Sequence, residues 1–456
     1  APPNPTEPTT ATTPATNTAT VTPTNTSTST PSPTVTTTPT ATVAPKATST
    51  VIPTATAVPT AVTAAQTATA APFGSRNAPF VNGAREGQLA VTLRQGADAG
   101  TVAGRHDGTV LSSVPALNTA LFGFPPGTDM PSKTAEVLAD PDVIGVEANG
   151  LIQPPEALDE KQFGQDALSV SDPNYGYETV GQLAPGCIPP GDNTVIVAVI
   201  DTGIDINHAE FAGKLASDGW NVIDNNANVQ EVANGIDDDG DGLVDEMYGH
   251  GTHVAGIIAH IAPSVKILPV KVLNDDGVGD SFGVATGIVY AYEHGARVIN
   301  LSLSTTTESN VIDRAIDAAR ARGVVVVASA GNANREEPKE YPAASPGVIG
   351  VASTGPGDIK SPFSNYGSEL SMSAPGTSIE SAKPGGGFGE ESGTSMAAPF
   401  VSAAVALVME RNPNMTAADI EAIIKDSSAA LDPKNPDYAG KLGSGRLDIT
   451  AAVPCQ

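Results

Sequence analysis

The sequence predicts an α/β fold built on a mostly parallel sheet, preceded by a small α+β unit and a Thr/Pro-rich segment. From about residue 193 onward, short runs of Val, Ile and Ala alternate with helical patterns. The runs are continuously apolar, which is typical of strands that a parallel sheet buries on both faces. Strands are expected at 194–200, 265–270, 298–302, 324–328 and 348–351, and helices at 251–260, 281–294 and 309–322.

The segment 86–152 is predicted to form a separate, small domain. Its strand and helix patterns follow the order β-α-β-β-α-β, which indicates a ferredoxin-like α+β unit. At roughly 65 residues its core is small, so the unit would be only marginally stable alone.

Residues 1–72 predict no packed domain. More than half of them are Thr or Pro, and Glu7 and Lys46 are the only charged residues. This composition cannot bury enough apolar surface to offset the entropy of ordering, so we expect a disordered linker. A stalk and a passive spacer both remain open, and the composition also fits O-glycosylation. The remaining predicted boundaries are a processing linker at 153–186 and a large domain at 187–456.

The balance of charge restricts the possible partners. The chain has 456 residues, 50 of them acidic and 23 basic, and a formal net charge of −27. This charge argues against nucleic acid or an anionic membrane as partner and suits an extracellular, cation-binding protein. No apolar run approaches the length of a transmembrane helix. Because the chain begins at Ala1, either a signal peptide has been removed or the sequence is a fragment.

The chain contains two cysteines, Cys187 and Cys455. They could form one disulfide that closes a long loop, or they could remain two separate thiols. Their pattern does not resemble a Cys-rich metal site.

Three short motifs place reactive side chains where strands end or helices begin. Asp201 follows the strand 194–200, His250 begins a helix, and Ser395 is expected to begin the last long helix, just before the helical pattern at 401–409. A serine hydroxyl needs an adjacent base to act as a nucleophile, and the base needs a carboxylate that orients it. Taken alone, each motif is also explained by an ordinary turn or helix cap. Together they predict an Asp-His-Ser triad.

In this order of residues, and in the motifs around them, the chain resembles the subtilisin-like serine proteases, particularly the thermitase-like secreted members. The resemblance covers about 86–450 and implies a three-layer subtilisin-like domain. It implies that Asn332 donates to the oxyanion beside the Ser395 N–H, and it gives His253 a structural place. The unit 86–152 resembles the family's propeptide, which acts as folding aid and inhibitor.

The resemblance also implies that substrate binds as an added strand between two edge segments. One segment contains Gly279 and Ser281, and the other contains Leu301, Ser302 and Leu303. The family usually has glycine where this chain has Ser304, so we expect Ser304 to narrow the S1 or S3 region. The preferred substrate side chain therefore stays open.

An acidic insert lies between Asp201 and His250. Its carboxylates at alternate positions, followed by glycine, match the start of a calcium loop, although position 12 is Tyr248 rather than Glu. Residues 224–246 hold eight acids and no Lys or Arg, so the loop would repel itself without a cation. We predict a structural Ca²⁺, with a solvated acidic loop as the alternative. The expected ligands are Asp237, Asp239, Asp241, Leu243, Asp245 and Glu246.

The resemblance suggests where other calcium sites stand. Thermitase-like relatives place a ligand group where this chain has Asp224, Asn226, Asn228 and Gln230. Many relatives also carry an Asn- and Gly-rich calcium loop after the histidine helix. Here residues 259–263 run almost directly into the next strand, so that site is expected to be absent.

These features predict a secreted, monomeric serine endopeptidase that is made as a self-processing zymogen. Its partners would be protein or peptide substrates and its own propeptide. Maturation is expected to cut within 153–172, before Asp172, and to discard the Thr/Pro-rich segment. The rival hypothesis is a non-catalytic, calcium-stabilised binding scaffold that retained the fold.

Overall fold

The structure is a computed structural model, and it describes residues 78–156, 172, 174–184, 186–188 and 195–455. The predicted Thr/Pro-rich segment 1–72 lies outside the described residues, as does half of the predicted processing linker 153–186, namely residues 157–171, 173 and 185. In the part of the chain that is described, no helix is long and apolar enough to cross a membrane.

The N-terminal unit is an antiparallel sheet with two helices. Its sheet has the order β3-β4-β2-β5, in which neighbouring strands are antiparallel. With a helix after β2 and another after β4, this is the ferredoxin-like arrangement, and the predicted fold of the small α+β unit is confirmed. The elements are β1 Phe80–Val81, β2 Ala84–Leu93, α1 Ala99–Arg105, β3 Thr109–Val114, a 3₁₀ turn Pro115–Leu117, β4 Thr119–Gly123, α2 Met130–Leu138 and β5 Val143–Ile152.

Both faces of this small sheet are covered. Leu89, Val91 and Phe122 pack on one face in a cluster that includes residues of α1 and α2. On the other face, Ala90 and Leu121 share an apolar cluster with helices of the large domain. Packing of the N-terminal unit against the large domain therefore adds buried apolar area that a unit of this size lacks alone.

The large domain is built on an eight-stranded sheet with the order β13-β12-β11-β10-β6-β8-β7 and β14 beside β12. Its described pairs are parallel except β12 with β13. Strand β9 pairs with β5 instead, and β15 pairs with β16. The strands are β6 Ile196–Asp201, β7 Trp220–Asn221, β8 Lys266–Lys271, β9 Gly279–Asp280, β10 Ala296–Leu301, β11 Val325–Ser329, β12 Ile349–Gly355, β13 Ile359–Lys360, β14 Met372–Pro375, β15 Ile379–Lys383 and β16 Gly387–Glu391.

Helices cover both faces of this sheet. In β6, Val197 and Val199 pack with the helices His250–Ile261 and Thr394–Arg411. Ala198 and Ile200 pack with the helices Ser281–Glu293 and Asn310–Arg320, because successive side chains of a strand point to opposite faces. The predicted three-layer α/β fold is confirmed. The helices are α3 Tyr175–Val180, α4 His250–Ile261, α5 Ser281–Glu293, α6 Asn310–Arg320, α7 Thr394–Arg411, α8 Ala417–Asp426 and α9 Ile449–Ala452, with 3₁₀ turns at Ala209–Phe211, Pro356–Asp358 and Pro436–Tyr438.

Helix α7 begins at Thr394, one residue before Ser395, where the last long helix was expected to begin, and the apolar pattern at 401–409 lies further along it. The pattern misses its first turns because Pro399 lies inside the helix. Proline has no N–H for the carbonyl four residues earlier, which here belongs to Ser395. Ser302 Oγ donates to that carbonyl at 2.9 Å and so replaces the missing helical bond.

Cys187 and Cys455 form a disulfide, which decides between the two alternatives left by the sequence. The bridge joins residues 268 positions apart, with their Cα atoms 4.9 Å from each other. Arg411, at the end of α7, donates to the carbonyls of Cys187 and Pro454, both at 2.7 Å. The disulfide and the Arg411 hydrogen bonds therefore hold the segments around Cys187 and Cys455 at the end of α7, the longest of the described helices.

Candidate active site

Asp201, His250 and Ser395 converge at the carboxyl edge of the large sheet. Asp201 is the last residue of β6, His250 is the first of α4, and Ser395 is the second of α7. Their relative exposures are 0, 3 and 0 %. The fold thus brings the three predicted residues into one buried site.

Asp201 and His250 form a buried pair. Asp201 Oδ1 lies 2.7 Å from His250 Nδ1 and accepts a second bond from the Thr202 N–H at 2.8 Å. Burial by itself lowers the pKa of His250, but the charge and hydrogen bond of Asp201, together with Glu156, hold that pKa well above its ordinary value. These contacts favour the imidazolium form of His250, and an imidazolium cannot accept a proton from Ser395.

Ser395 is not bonded to His250 in this arrangement. Its Oγ donates to Glu156 Oε2 at 2.6 Å, and the same oxygen lies 3.4 Å from His250 Nε2. The Glu156 carboxylate therefore stands between the predicted nucleophile and the predicted base. A carboxylate is the stronger acceptor, which explains why the hydroxyl turns away from His250.

Asn332 points its side-chain amide at the same carboxylate. Its Nδ2 donates to Glu156 Oε1 at 2.9 Å, while its Oδ1 accepts from the N–H and the hydroxyl of Thr394, both at 2.9 Å. The two bonds from Thr394 fix which end of the amide faces the cleft. A Cβ at Gly393 would overlap Glu156 Oε1, so glycine keeps this position open.

Glu156 is a site residue that the sequence did not reveal. It follows two prolines in the predicted processing linker, and no motif marks it. Its contact with Ser395 joins residues 239 positions apart, and only the docking of the N-terminal unit creates it. No local sequence signal could have found it.

The cleft beside Ser395 holds the end of β5. Leu151 and Ile152 pair antiparallel with Asp280 and Gly279. On the other side, the Gln153 N–H donates to the Ser304 carbonyl at 3.2 Å and the Ser304 N–H donates to the Gln153 carbonyl at 2.8 Å. The segment 151–153 therefore lies between the two segments predicted to bind substrate.

The predicted substrate residues contribute in different ways. Ser281 Oγ accepts from the Gly150 N–H at 3.1 Å, and Ser302 is bonded to the Ser395 carbonyl. The side chains of Leu301 and Leu303 lie in the apolar core, so these two residues can offer a substrate only their backbone.

Ser304 lies at the wall of the cleft. Together with Pro155, Asn332 and Glu340, it lines a cavity of about 380 Å³. This is the position at which the sequence led us to expect a narrower cleft than a glycine would leave.

The acidic insert brings three of its predicted ligands together. Asp237, Asp239 and Asp241 each place a carboxylate oxygen within 4.8 Å of the others. Gly240 and Gly242 have φ values of 81° and 100°, which favour glycine and let the loop turn tightly. Oxygen donors on a tight loop are the ligands that a hard divalent cation prefers.

The other predicted ligands lie outside this group of three. Asp245 accepts from the N–H groups of Asn234 and Gly235 at 2.8 and 2.7 Å, so both its oxygens close the loop. Leu243 donates its N–H to Asp241 at 2.8 Å.

Glu246 has a buried oxygen, Oε2, that has no hydrogen-bond partner among the residues that the structure describes. Burial, together with the charges of Asp276, Asp239 and Asp241, raises the pKa of Glu246 to about 7.

The insert also forms one side of the cleft. Gln153 Nε2 donates to Asp239 Oδ2 at 3.3 Å. A Cβ at Gly277 would press against both Met247 of the insert and Pro154 of the segment that occupies the cleft. The predicted calcium loop is therefore a neighbour of the bound strand.

In the second proposed calcium group, the side-chain oxygens accept hydrogen bonds from nearby protein groups, three from backbone N–H groups and one from a side chain. Asn226 Oδ1 accepts from the Asn228 N–H at 2.8 Å, and Gln230 Oε1 accepts from the Ile206 N–H at 3.2 Å. Asp224 Oδ2 accepts from Asn221 Nδ2 at 2.9 Å, and Asn228 Oδ1 accepts from the Gln230 N–H at 3.3 Å.

The helix that carries the histidines ends at Ile261 and β8 begins at Lys266, which leaves no long loop between them. On this helix, the fully buried His253 has its Nε2 3.1 Å from the Gly389 carbonyl, away from Ser395.

Comparison with known proteins places the chain in a family. The subtilase family profile (peptidase S8) matches residues 192–445, and the fervidolysin N-terminal prodomain profile matches residues 80–149. The chain is 40% identical over 267 residues to thermitase of Thermoactinomyces vulgaris, covering 56% of this chain and 88% of that protein. It is 36% identical over 293 residues to the cell wall-associated protease of Bacillus subtilis (strain 168), covering 57% of this chain and 31% of that protein.

Among solved structures, the chain is similar to fervidolysin from Fervidobacterium pennivorans, a keratinolytic enzyme related to subtilisin. The TM-score is 0.67 over 83% of this chain and 62% of that chain, at 24% identity, so this likeness concerns the fold. The match of the subtilase profile includes the positions of Asp201, His250, Asn332 and Ser395. The chain belongs to the subtilase family of serine endopeptidases and carries a prodomain of the fervidolysin type at its N-terminal side.

Proposed function

We propose that this protein is a secreted endopeptidase, made as a self-processing zymogen, in which Ser395 is the nucleophile and His250 the general base. The observation that carries the proposal is the buried contact of 2.7 Å between Asp201 and His250, with Ser395 on the adjoining helix start. Asp201 holds the imidazole so that Nε2 faces Ser395, and it stabilises the imidazolium that forms.

In the proposed reaction, a substrate strand occupies the cleft between Gly279 and Ser304. His250 takes the Ser395 proton while Ser395 Oγ attacks the scissile carbonyl, and His250 then returns the proton to the leaving amine. Water releases the acyl-enzyme by the same steps in reverse order. The Asn332 amide, oriented by Thr394, donates to the oxyanion, as it now donates to Glu156.

The N-terminal unit is proposed to inhibit the enzyme until it is cut away. Three features support this: the strand 151–153 occupies the cleft, Glu156 fills the place of the oxyanion, and it takes the Ser395 hydroxyl. The Glu156 side chain must leave before any carbonyl can enter. The proposed cut lies within 153–172, and the resulting loss of the N-terminal unit would also remove the Thr/Pro-rich segment.

A structural Ca²⁺ is proposed at the acidic insert. Asp237, Asp239 and Asp241 fit such an ion because their oxygens already converge, and the unpartnered Glu246 oxygen supplies a further acceptor nearby. The ion would neutralise carboxylates that otherwise repel one another. It would fix the insert without taking part in the reaction.

Secretion is proposed from the disulfide and from the net charge of the chain. The Cys187–Cys455 disulfide fits an oxidising compartment, and the net charge of −27 fits an extracellular protein.

The testing experiment incubates purified precursor with and without Ca²⁺, labels it with a serine-directed phosphonate, and sequences the new N-terminus. We expect calcium-dependent cleavage within 153–172 and a label on Ser395. The matched control is Ser395→Ala, which should stay uncut and unlabelled. Calcium-loaded, prodomain-free protein that takes no label would favour the rival binding scaffold.

A further inference from the structure

Glu231 is a buried carboxylate next to the catalytic pair that the proposed reaction does not use. Its relative exposure is 1 %, and it lies on the segment between β6, which ends at Asp201, and α4, which begins at His250. A carboxylate removed from water in this way needs several hydrogen-bond donors to remain there.

Two threonine hydroxyls supply the main donors. Thr202 Oγ1 donates to Glu231 Oε1, and Thr252 Oγ1 donates to Glu231 Oε2. Each hydroxyl oxygen also accepts a backbone N–H, from Gly251 at 2.9 Å and from Asp205 at 2.7 Å. The backbone bonds leave the hydroxyl hydrogens directed at the carboxylate.

Two backbone groups at the start of α4 add weaker contacts. The Gly249 N–H donates to Oε1 and the Thr252 N–H donates to Oε2, both at 3.3 Å. Each carboxylate oxygen thus receives one hydroxyl and one backbone donor. Burial raises the pKa of Glu231 and the two threonine hydroxyls oppose that rise, so the carboxylate depends on these donors.

The bonded threonines are neighbours of the catalytic residues. Thr202 follows Asp201 directly, and Thr252 lies two residues after His250 on the first turn of α4. We propose that Glu231 is a positioning residue, which holds the end of β6 against the start of α4 and so sets the distance between Asp201 and His250.

The course of the acidic insert explains why the end of β6 and the start of α4 need to be held together by Glu231. The insert leaves the core just after Glu231 and returns at Gly249, whose N–H reaches the same carboxylate. Both ends of the excursion therefore meet at one side chain. Movements of the insert are then kept from displacing His250, which follows Gly249.

The inference rests on the proposed roles of Asp201 and His250. It is tested on mature enzyme with Glu231→Gln, because an amide can accept from one threonine hydroxyl but presents N–H groups to the other. The readouts are kcat per phosphonate-titrated site, KM for a peptide substrate, and Tm. The matched control is Asp313→Asn. Asp313 lies on α6, away from the catalytic pair, and likewise accepts a hydrogen bond from a hydroxyl, that of Ser345, at 2.6 Å.

We expect kcat per titrated site to fall about tenfold to hundredfold, as for other small displacements of catalytic groups, with KM little changed. Thr202→Val and Thr252→Val should lose part of the same activity, whereas Thr202→Ser and Thr252→Ser, which keep the hydroxyl, should retain it. Combining Glu231→Gln with both valine changes should cost no more than Glu231→Gln alone, because all three changes break one network.

A lower Tm with unchanged kcat per titrated site would overturn the proposal and leave Glu231 a purely structural residue. If Glu231→Gln yields no folded enzyme, the valine and serine pairs decide, and equal kcat values within each pair would overturn it. Wild-type enzyme that takes no phosphonate would instead refute the proposed function, so the two failures are distinguishable.

Discussion

The Ser395 hydroxyl donates a hydrogen bond to Glu156 Oε2 at 2.6 Å and not to His250. The same carboxylate receives the Asn332 amide at 2.9 Å and lies 3.4 Å from His250 Nε2. One side chain of the prodomain linker thus engages the proposed nucleophile, base and oxyanion donor together.

Replacing Glu156 should accelerate maturation. Hydrogen bonds to a charged group contribute about 1.5–3 kcal/mol each, so Glu156→Ala is expected to raise the rate of precursor cleavage about tenfold or more. The measurement is the disappearance of precursor on a gel after addition of Ca²⁺. Glu86→Gln, which changes an exposed carboxylate of the same unit, serves as control. A Glu156→Ala precursor that matures at the wild-type rate would contradict the proposal that the Glu156 side chain delays maturation by holding Ser395 and Asn332.

Release of the prodomain should lower the pKa of His250. Burial lowers this pKa, whereas Asp201 and Glu156 raise it by stabilising the imidazolium, and cleavage removes the contribution of Glu156. The imidazole should therefore become neutral, and able to act as a base, at a lower pH in mature enzyme. Imidazole proton resonances of the Ser395→Ala protein, titrated with and without the prodomain bound, would show the shift. An equal or higher pKa after release would count against this account.

Removing the Asn332 amide should slow the chemical step and leave binding intact. The loss of one oxyanion donor costs about 10²- to 10³-fold in kcat, so Asn332→Ala is expected to fall in that range with KM unchanged. Thr394→Val keeps the amide but removes one of the two bonds that orient it, so a smaller loss is expected. Steady-state kinetics on a chromogenic peptide would measure both. An unchanged kcat in Asn332→Ala would exclude this residue from the oxyanion site.

Chelation should destabilise the protein more at pH 8 than at pH 5. Burial and neighbouring carboxylates raise the pKa of Glu246 from its ordinary 4.5 to about 7. A raised carboxyl pKa favours the protonated, folded form, so this stability is present below about 4.5 and is lost as pH rises to about 7. Bound Ca²⁺ would offset that loss. Thermal unfolding of Ser395→Ala protein in Ca²⁺ and in chelator, at both pH values, tests the expectation, and equal differences would contradict it.

The sequence predicted the layers and the triad because both depend on local patterns. Continuous apolar runs identified the buried strands, and Asp201, His250 and Ser395 each stand in a motif of several residues. The start of α7 was predicted at Ser395, one residue after its observed start at Thr394, although Pro399 lies inside the helix. The sequence did not show that Ser302, a distant residue, donates to the carbonyl that Pro399 leaves without a helical partner.

Contacts between separate parts of the chain could not be predicted in this way. Glu156 and Glu231 reach the site only through tertiary docking, and neither belongs to a motif. Asp245 fits the spacing of a calcium ligand but is used by two backbone N–H groups, since spacing does not fix where a side chain points.

The disulfide affects how easily one molecule of this protein is cleaved by another. A protease attacks chains that can be drawn into an extended strand, and loose ends are where proteolysis concentrates. By joining Cys187 to Cys455, the bridge restrains the large domain at these two positions, so neither segment is free to be drawn into the cleft of a neighbouring molecule. We therefore expect mutual digestion at high enzyme concentration to be slower with the bridge intact than after its reduction.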